Sequence, residues 1–292
     1  MVKQVSVVIT DLDNTLYDWV EIWYQSFSTM LRQLVMQSGI DEEILKTEMQ
    51  QVFQQHGTSE YAFVIEELPS LKALHRGKNL TEVYHSAIQA YEEAGKNASR
   101  LYPGVFETLT QLKDQGCRVV GYTESMALYT IRRVKQFKLD GILDYLYSPA
   151  SHDLPVGLSP EQVKHFSSDL YKLNYTVHQH TPKGRLKPSP DVLLKIIKDV
   201  KAPIEKTIYI GDSLMKDVTM AQDANVTDIY AKYGLAQHRD AYELLRRVTH
   251  WTKEDVERER LILARGEVRA TYILERSFSQ ILDLFDFVPY QM

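Results

Sequence analysis

Cysteine is almost absent. Cys117 is the only one in 292 residues, so no disulfide can form within the chain, and a reducing compartment is expected. Long hydrophobic runs are missing too. No stretch approaches the roughly 20 apolar residues that span a bilayer. The amino terminus carries one lysine and then a short strand, not the apolar region of a signal peptide. A cytoplasmic protein with no membrane partner is the expectation. Nor is positive charge in excess: 34 Lys and Arg face 39 Asp and Glu, for a formal net charge of -5. No basic run forms the stripe that nucleic acid would need. With 44% hydrophobic and 25% charged residues, the composition is that of a globular protein. The length suits one large domain, or a core domain with a smaller one.

What is present begins with a buried-strand signature. Val5 to Thr10 is apolar and β-branched, and Asp11-Leu12-Asp13-Asn14-Thr15-Leu16-Tyr17-Asp18 ends it abruptly. Two carboxylates two residues apart, at the carboxyl end of a buried strand, lie where open α/β sheets place their chemistry. Like charges that close disfavour each other unless a cation or a shared proton lies between them. Read alone, the stretch is also consistent with a polar turn in which Asp13 or Asn14 caps a helix.

From Trp19 to about Gly95 the period turns helical. Trp19, Ile22, Trp23, Phe27, Met30, Leu31, Leu34 and Val35 form one stripe, broken at Ser38-Gly39. Asp41-Glu42-Glu43 charges the start of a second helix. Further helices are expected around Tyr61–Glu67, ended near Pro69, and from Thr81 to Glu93. The aromatic and Met stripe reads as core, not as a cofactor box. After Tyr102-Pro103-Gly104-Val105 the pattern alternates: helix Val105 to Asp114, strand Arg118 to Tyr122, helix Met126 to Phe137, strand near Tyr145-Leu146-Tyr147. Helix Asp191 to Val200, strand Thr207 to Ile210, strand Val226 to Ala231, a last strand Ala270 to Leu274 and a closing helix Ser277 to Phe285 follow. That alternation predicts an α/β fold with a doubly wound parallel sheet, carrying a small all-helical domain inserted after the first strand.

Two segments stand outside this grammar. Residues 149–185 carry Pro149, Pro155, Pro160 and Pro182 and a helix expected from Pro160 to Leu173. They also hold His152, His165, His178 and His180, whose spacing matches no metal site and which read as structural or solvated. Residues 236–268 form a charged, mostly helical stretch, with helices expected at Ala241 to Val248 and Glu254 to Ala264. Either segment could decorate the core. Together they could form a homodimer surface, or the first could rim the site.

Strand ends and loops then present Asp11, Asp13, Thr123, Asp212, Asp217 and Lys187. Parallel strands share one carboxyl-end edge, so these groups can converge. Carboxylates without Cys or His suit a hard cation such as Mg²⁺. An aspartate can take a phosphoryl group, a second carboxyl can move the proton, and a hydroxyl and an ammonium can hold phosphoryl oxygens. On Asp11-Leu12-Asp13-Asn14-Thr15-Leu16-Tyr17-Asp18, Thr123, Lys187 with Pro188 and Pro190, and Gly211-Asp212-Ser213 through Asp217, the chain resembles the haloacid dehalogenase superfamily. The branch it resembles is that of phosphatases with a helical C1-type cap.

The resemblance implies a core of residues 1–17 and 100–292 with the two insertions, and a cap of residues 18–99. It implies Asp11 as nucleophile and Asp13 as general acid/base, with Thr123 and Lys187 catalytic and, beside Glu124, binding substrate. Its Mg²⁺ site uses the Asp11 carboxylate, the Asp13 carbonyl and Asp212; Asp217 joins this set as an outer residue that orients Lys187. The implied function is Mg²⁺-dependent hydrolysis of a small phosphorylated metabolite, such as a nucleotide or sugar phosphate, through an aspartyl-phosphate. A phosphomutase shares every core residue and is the alternative, and a non-catalytic binding protein is a further one. Tyr17, Trp23 and Tyr24 are candidates, by position, to read the substrate. Beside the long segment before Lys187 and the charged stretch before the last strand, one departure lies within the motifs: Glu124 stands where relatives often have Asn, and a carboxylate there repels phosphate unless it turns outward or meets a cation.

Overall fold

The computed structural model describes residues 2–151, 172–252, 254, 257, 261 and 268–291. The chain divides into two compact units. One comprises Met1–Tyr17, Arg100–Leu235 and Ile262–Met292, the other Asp18–Ser99 and Ala236–Leu261.

The first unit is built on a parallel sheet. Its strands are β2 (Val7–Thr10), β3 (Arg118–Tyr122), β4 (Tyr145–Ser148), β5 (Val177–His180), β6 (Thr207–Gly211), β7 (Thr227–Tyr230) and β8 (Tyr272–Ile273). Seven strands run in the order β5-β4-β3-β2-β6-β7-β8, and every pair is parallel. The strand order reverses at β2, which lies between β3 and β6. A central strand covered on both faces must be apolar throughout, and all four residues of β2 are buried. Val7 and Ile9 pack with Val120, Leu193, Ile196 and Tyr209 on one face. Register puts Thr10 opposite Gly121 on one side and Ile210 on the other. Residues 11, 123 and 212 therefore leave the same edge of the sheet.

Three readings change here. Gln4–Val5 is a separate strand, β1, paired with β9 (Asp286–Phe287), so the expected first strand breaks at Ser6 and the closing helix stops at Leu284. Strand β5 was not expected: Val-His-Gln-His lacks the apolar signature because it is a sheet edge and mostly exposed. The helix expected from Pro160 to Leu173 lies almost wholly outside the described residues, as do His152, His165 and most of Glu254 to Ala264.

The second unit is helical. Asp18 caps helix Trp19–Ser38, its carboxylate accepting the Glu21 N–H at 3.0 Å, and Gly39 closes the helix with φ 70°. Asp41 and Gly57 do the same for helix Glu42–His56. Pro69 starts a helix (Pro69–Leu74) instead of only ending one, as its missing N–H allows at the first position. The expected helix Thr81 to Glu93 is two, Leu80–Val83 and His85–Ala98, divided at Tyr84. Trp23, Phe27, Leu34, Phe53 and Tyr84 form the core, with the Trp23 and Phe27 rings stacked 4.7 Å apart.

Ala236–Leu261 groups with this helical unit, whereas the sequence places 236–268 as an insertion of the core. Helix Asp240–Val248 presents Ala241, Tyr242, Leu245 and Val248 at helical spacing, and all four are buried in the helical core. Polar ties reinforce the docking. Arg239 pairs with Asp18 at 2.6 Å, and the Ser59 hydroxyl meets Thr249 Oγ1 and His250 Nδ1, each at 3.0 Å. The Trp23 indole donates to the Ser59 carbonyl at 3.0 Å, and its ring is buried in this core.

Candidate active site

Asp11 is the first residue past β2, and its N–H still donates to Ile210 at 2.8 Å in the style of the sheet. The turn that follows is tight. Leu12 accepts from the N–H groups of Thr15 and Leu16 at 3.2 and 2.8 Å, and Asn14 takes φ 57°, a conformation Asn tolerates. The turn points Asp11 and Asp13 at different partners. Asp11 Oδ1 accepts from Lys187 Nζ at 2.5 Å and Oδ2 from the Thr15 hydroxyl at 3.2 Å. Asp13 Oδ2 accepts from the Thr123 hydroxyl at 2.8 Å, and its Oδ1 lies 3.5 Å from the Arg133 guanidinium.

Lys187 reaches in from the segment before helix Pro190–Asp199 and is shared between two carboxylates, with Asp217 Oδ1 at 2.9 Å. Asp217 is brought back by a π turn, Leu214–Val218, directly after Asp212-Ser213. Its Oδ1 also accepts from the Tyr209 hydroxyl at 2.8 Å, and its Oδ2 from the Ser213 N–H at 3.1 Å. Gly211 permits this return: a Cβ there would lie 2.3 Å from Asp217 Cγ. A second close approach comes from residues 232–234. The Tyr233 hydroxyl donates to the Thr15 carbonyl at 2.5 Å, and a Cβ on Gly234 would stand 1.8 Å from the Asn14 oxygen. Only glycine lets this turn brace the Asn14–Thr15 backbone.

The electrostatics are those of a site short of positive charge. Burial pushes the Asp11 carboxyl up to about 8; Lys187 opposes this, while Asp217 and Asp13 add to it. Burial, then Asp11 and Asp217, drive Asp212 well above the carboxylate range. Burial works against the Lys187 ammonium, but Asp11 and Asp217 hold its pKa well above the ordinary lysine value. One ammonium thus serves a group of carboxylates, and Asp11, Asp212 and Asp217 each offer an oxygen within 4.8 Å of the others. An all-oxygen, anionic donor set of this kind fits a hard divalent cation, which would also relieve the raised carboxyls.

The structure brings Asp11, Asp13, Thr123, Lys187, Asp212 and Asp217 to one edge of the sheet. Glu124 does not point out to solvent. It is half-buried and meets cationic and N–H partners, because a carboxylate at this depth needs them. Sequence reading missed Arg133, Tyr209, Lys216 and Tyr233. Arg133 left a trace: on helix Ala127–Gln136 it shares the buried face with Thr130 and Val134, where an arginine requires a partner. Tyr209 sits in a strand that looks merely apolar. Tyr17 is fully buried between Phe137, at 4.9 Å ring to ring, and the Arg133 guanidinium, 5.8 Å from its centroid.

The chain is similar to known proteins over most of its length. The sequence model of haloacid dehalogenase-like hydrolases matches residues 5–225. A phosphoglycolate phosphatase of Nitrosococcus oceani is 28% identical over 238 residues, covering 80% of this chain and 87% of its own. A glyceraldehyde 3-phosphate phosphatase of Methanopyrus kandleri is 21% identical over 236 residues, covering 80% and 86%. Among solved structures, a predicted phosphoglycolate phosphatase from Haemophilus somnus superposes with a TM-score of 0.51 at 15% identity, covering 96% of this chain and 97% of its own. That structural likeness speaks to the fold. Among the described residues no helix is long and apolar enough to cross a membrane.

Proposed function

The chain belongs to the haloacid dehalogenase-like hydrolases, a family of phosphoric monoester hydrolases among its named relatives, and on that premise we propose a Mg²⁺-dependent phosphatase of a small phosphorylated metabolite working through an aspartyl-phosphate. The observation that carries the reading is the Lys187 ammonium, bonded to Asp11 at 2.5 Å and Asp217 at 2.9 Å beside an Asp13 held by Thr123. It joins a nucleophile, its counter-charge and a separate proton carrier at one sheet edge.

Each residue then has a task. An Asp11 carboxylate oxygen attacks phosphorus as the bond to the ester oxygen breaks, and Lys187 and the Thr15 hydroxyl keep that carboxylate aimed. Asp13 gives its proton to the departing oxygen, then takes one from the water that attacks the phosphoryl group, which returns Asp11 and releases phosphate. Thr123 and Arg133 orient Asp13 for both transfers. The Lys187 ammonium, with a proton to spare beyond those given to Asp11 and Asp217, is the donor placed to steady phosphoryl oxygens. Asp11, Asp212 and the Asp13 carbonyl would hold Mg²⁺, with Asp217 behind them, and the ion would supply positive charge against the phosphoryl oxygens.

The test is phosphate release across a panel of phosphomonoesters, with and without Mg²⁺, beside Asp11→Asn. Metal-dependent release that falls at least about 1,000-fold in the variant, with the fold intact, supports the reading, since the nucleophile is gone and its shape kept. Full activity in Asp11→Asn would sink the covalent step.

A further inference from the structure

Glu124 has no role in the chemistry above, yet its carboxylate joins three loops of the site. Its Oε1 accepts the backbone N–H of Lys187 at 2.7 Å, and its Oε2 pairs with Lys216 Nζ at 2.6 Å. Thr123, one residue earlier, is the first residue past β3. Lys216 lies in the π turn between Asp212 and Asp217. One side chain therefore ties the β3 end, the lysine segment and the β6 turn together.

An exposed ion pair in this place would contribute little and position nothing. Three features set Glu124 apart. One oxygen is spent on a main-chain N–H, which locates the backbone of Lys187 and not its mobile side-chain end. The far end of the same residue is buried against Asp11 and Asp217, so a shift of its backbone moves the ammonium that aims the nucleophile. The Lys216 ammonium balances the carboxylate, which removes the repulsion that a bare Glu would exert on an incoming phosphoryl dianion. Burial would raise the Glu124 carboxyl, but Lys216 and Lys187 hold it below the ordinary range, in keeping with that pairing.

We propose that Glu124 is a positioning residue that sets the Lys187 ammonium by holding its backbone N–H, with Lys216 neutralising the carboxylate so that it is compatible with substrate. The chemical consequence rests on the phosphatase reading; the tie itself does not. Two readouts separate them. Amide hydrogen exchange at Lys187 reports the tie without turnover: protection drops at least tenfold in Glu124→Ala and is largely kept in Glu124→Gln, whose amide oxygen still accepts. Phosphate release reports the consequence. Glu124→Ala lowers kcat at least tenfold at an unchanged melting temperature, and Glu124→Gln recovers it to within about threefold of the parent. Lys216→Met, which leaves the carboxylate unbalanced, raises KM for the ester at least fivefold and more than it lowers kcat. Equal Lys187 protection in the parent and Glu124→Ala, or a Gln variant as impaired as the Ala variant in both readouts, overturns the proposal. Lost protection in Glu124→Ala, in a protein that releases phosphate from no ester, upholds the tie and removes the phosphatase reading instead.

Discussion

The helical unit buries Trp23, Phe27 and Phe53 at 1–2% exposure, whereas the edge of the sheet unit buries Asp11, Lys187 and Asp217 at 2–6%. The two demands differ physically. An apolar side chain leaves water favourably wherever it finds other apolar groups, so a stripe at helical spacing is enough to specify it. A charge leaves water only if a specific partner is already in place. Asp11 and Lys187 are 176 residues apart, and the parallel sheet is what delivers them to each other. The helical core is thus stability spread over many contacts. The sheet edge is a small set of mutually dependent charges.

Four substitutions probe that contrast. Lys187→Met removes the ammonium shared by Asp11 and Asp217 and should act on both function and stability. Unfolding in urea at pH 7 is expected to show a loss of about 3–5 kcal/mol, the usual cost of stranding a buried charge. Phosphate release should fall on the order of 100-fold or more. A variant as stable as the parent would mean that Lys187 is not the counter-charge. Trp23→Ala is the matching change in the helical unit. It should cost about 3–5 kcal/mol of stability by the same measurement, through cavity formation and with no change of charge.

Leu245→Ala tests whether helix Asp240–Val248 is integral to the helical core. Fully buried Leu245 should cost about 2–5 kcal/mol; a cost under about 1 kcal/mol would make that helix a surface attachment. The smallest effect is expected at the exposed edge of the sheet. Burial, aided by His180, depresses the His178 imidazole from 6.5 to about 4, and Ser148 Oγ lies 2.8 Å from its Nε2. Between those values the unfolded chain binds the proton that the folded one refuses, so stability falls as pH drops from 6.5 to 4. In His178→Gln that share of the acid sensitivity should vanish, as read from urea midpoints at pH 4, 5, 6 and 7 relative to the parent.

Legibility followed the same division. Val105–Asp114 and Arg118–Tyr122 occur as expected because their period and end signals are local. The carboxylates and lysine were legible through their spacing and the strand ends that bear them. Strand β5 was not, since an exposed edge needs no apolar pattern, and neither was the place of residues 236–261, whose apolar face names no partner. Glu124 looked like a departure in need of an excuse. Its partners Lys187 and Lys216 lie 63 and 92 residues away.

By itself the sequence determined most of the central elements, the parallel α/β architecture and a set of candidate reacting groups, because each is written in short-range periodicity and in residue chemistry. Only the tertiary structure decided which unit receives helix Asp240–Val248, that Arg133 reaches Asp13, that a turn at Tyr233-Gly234 braces the Asn14–Thr15 backbone, and that Glu124 meets the Lys216 ammonium and the Lys187 N–H. Those outcomes depend on distance between groups far apart in the chain, and distance is settled by packing.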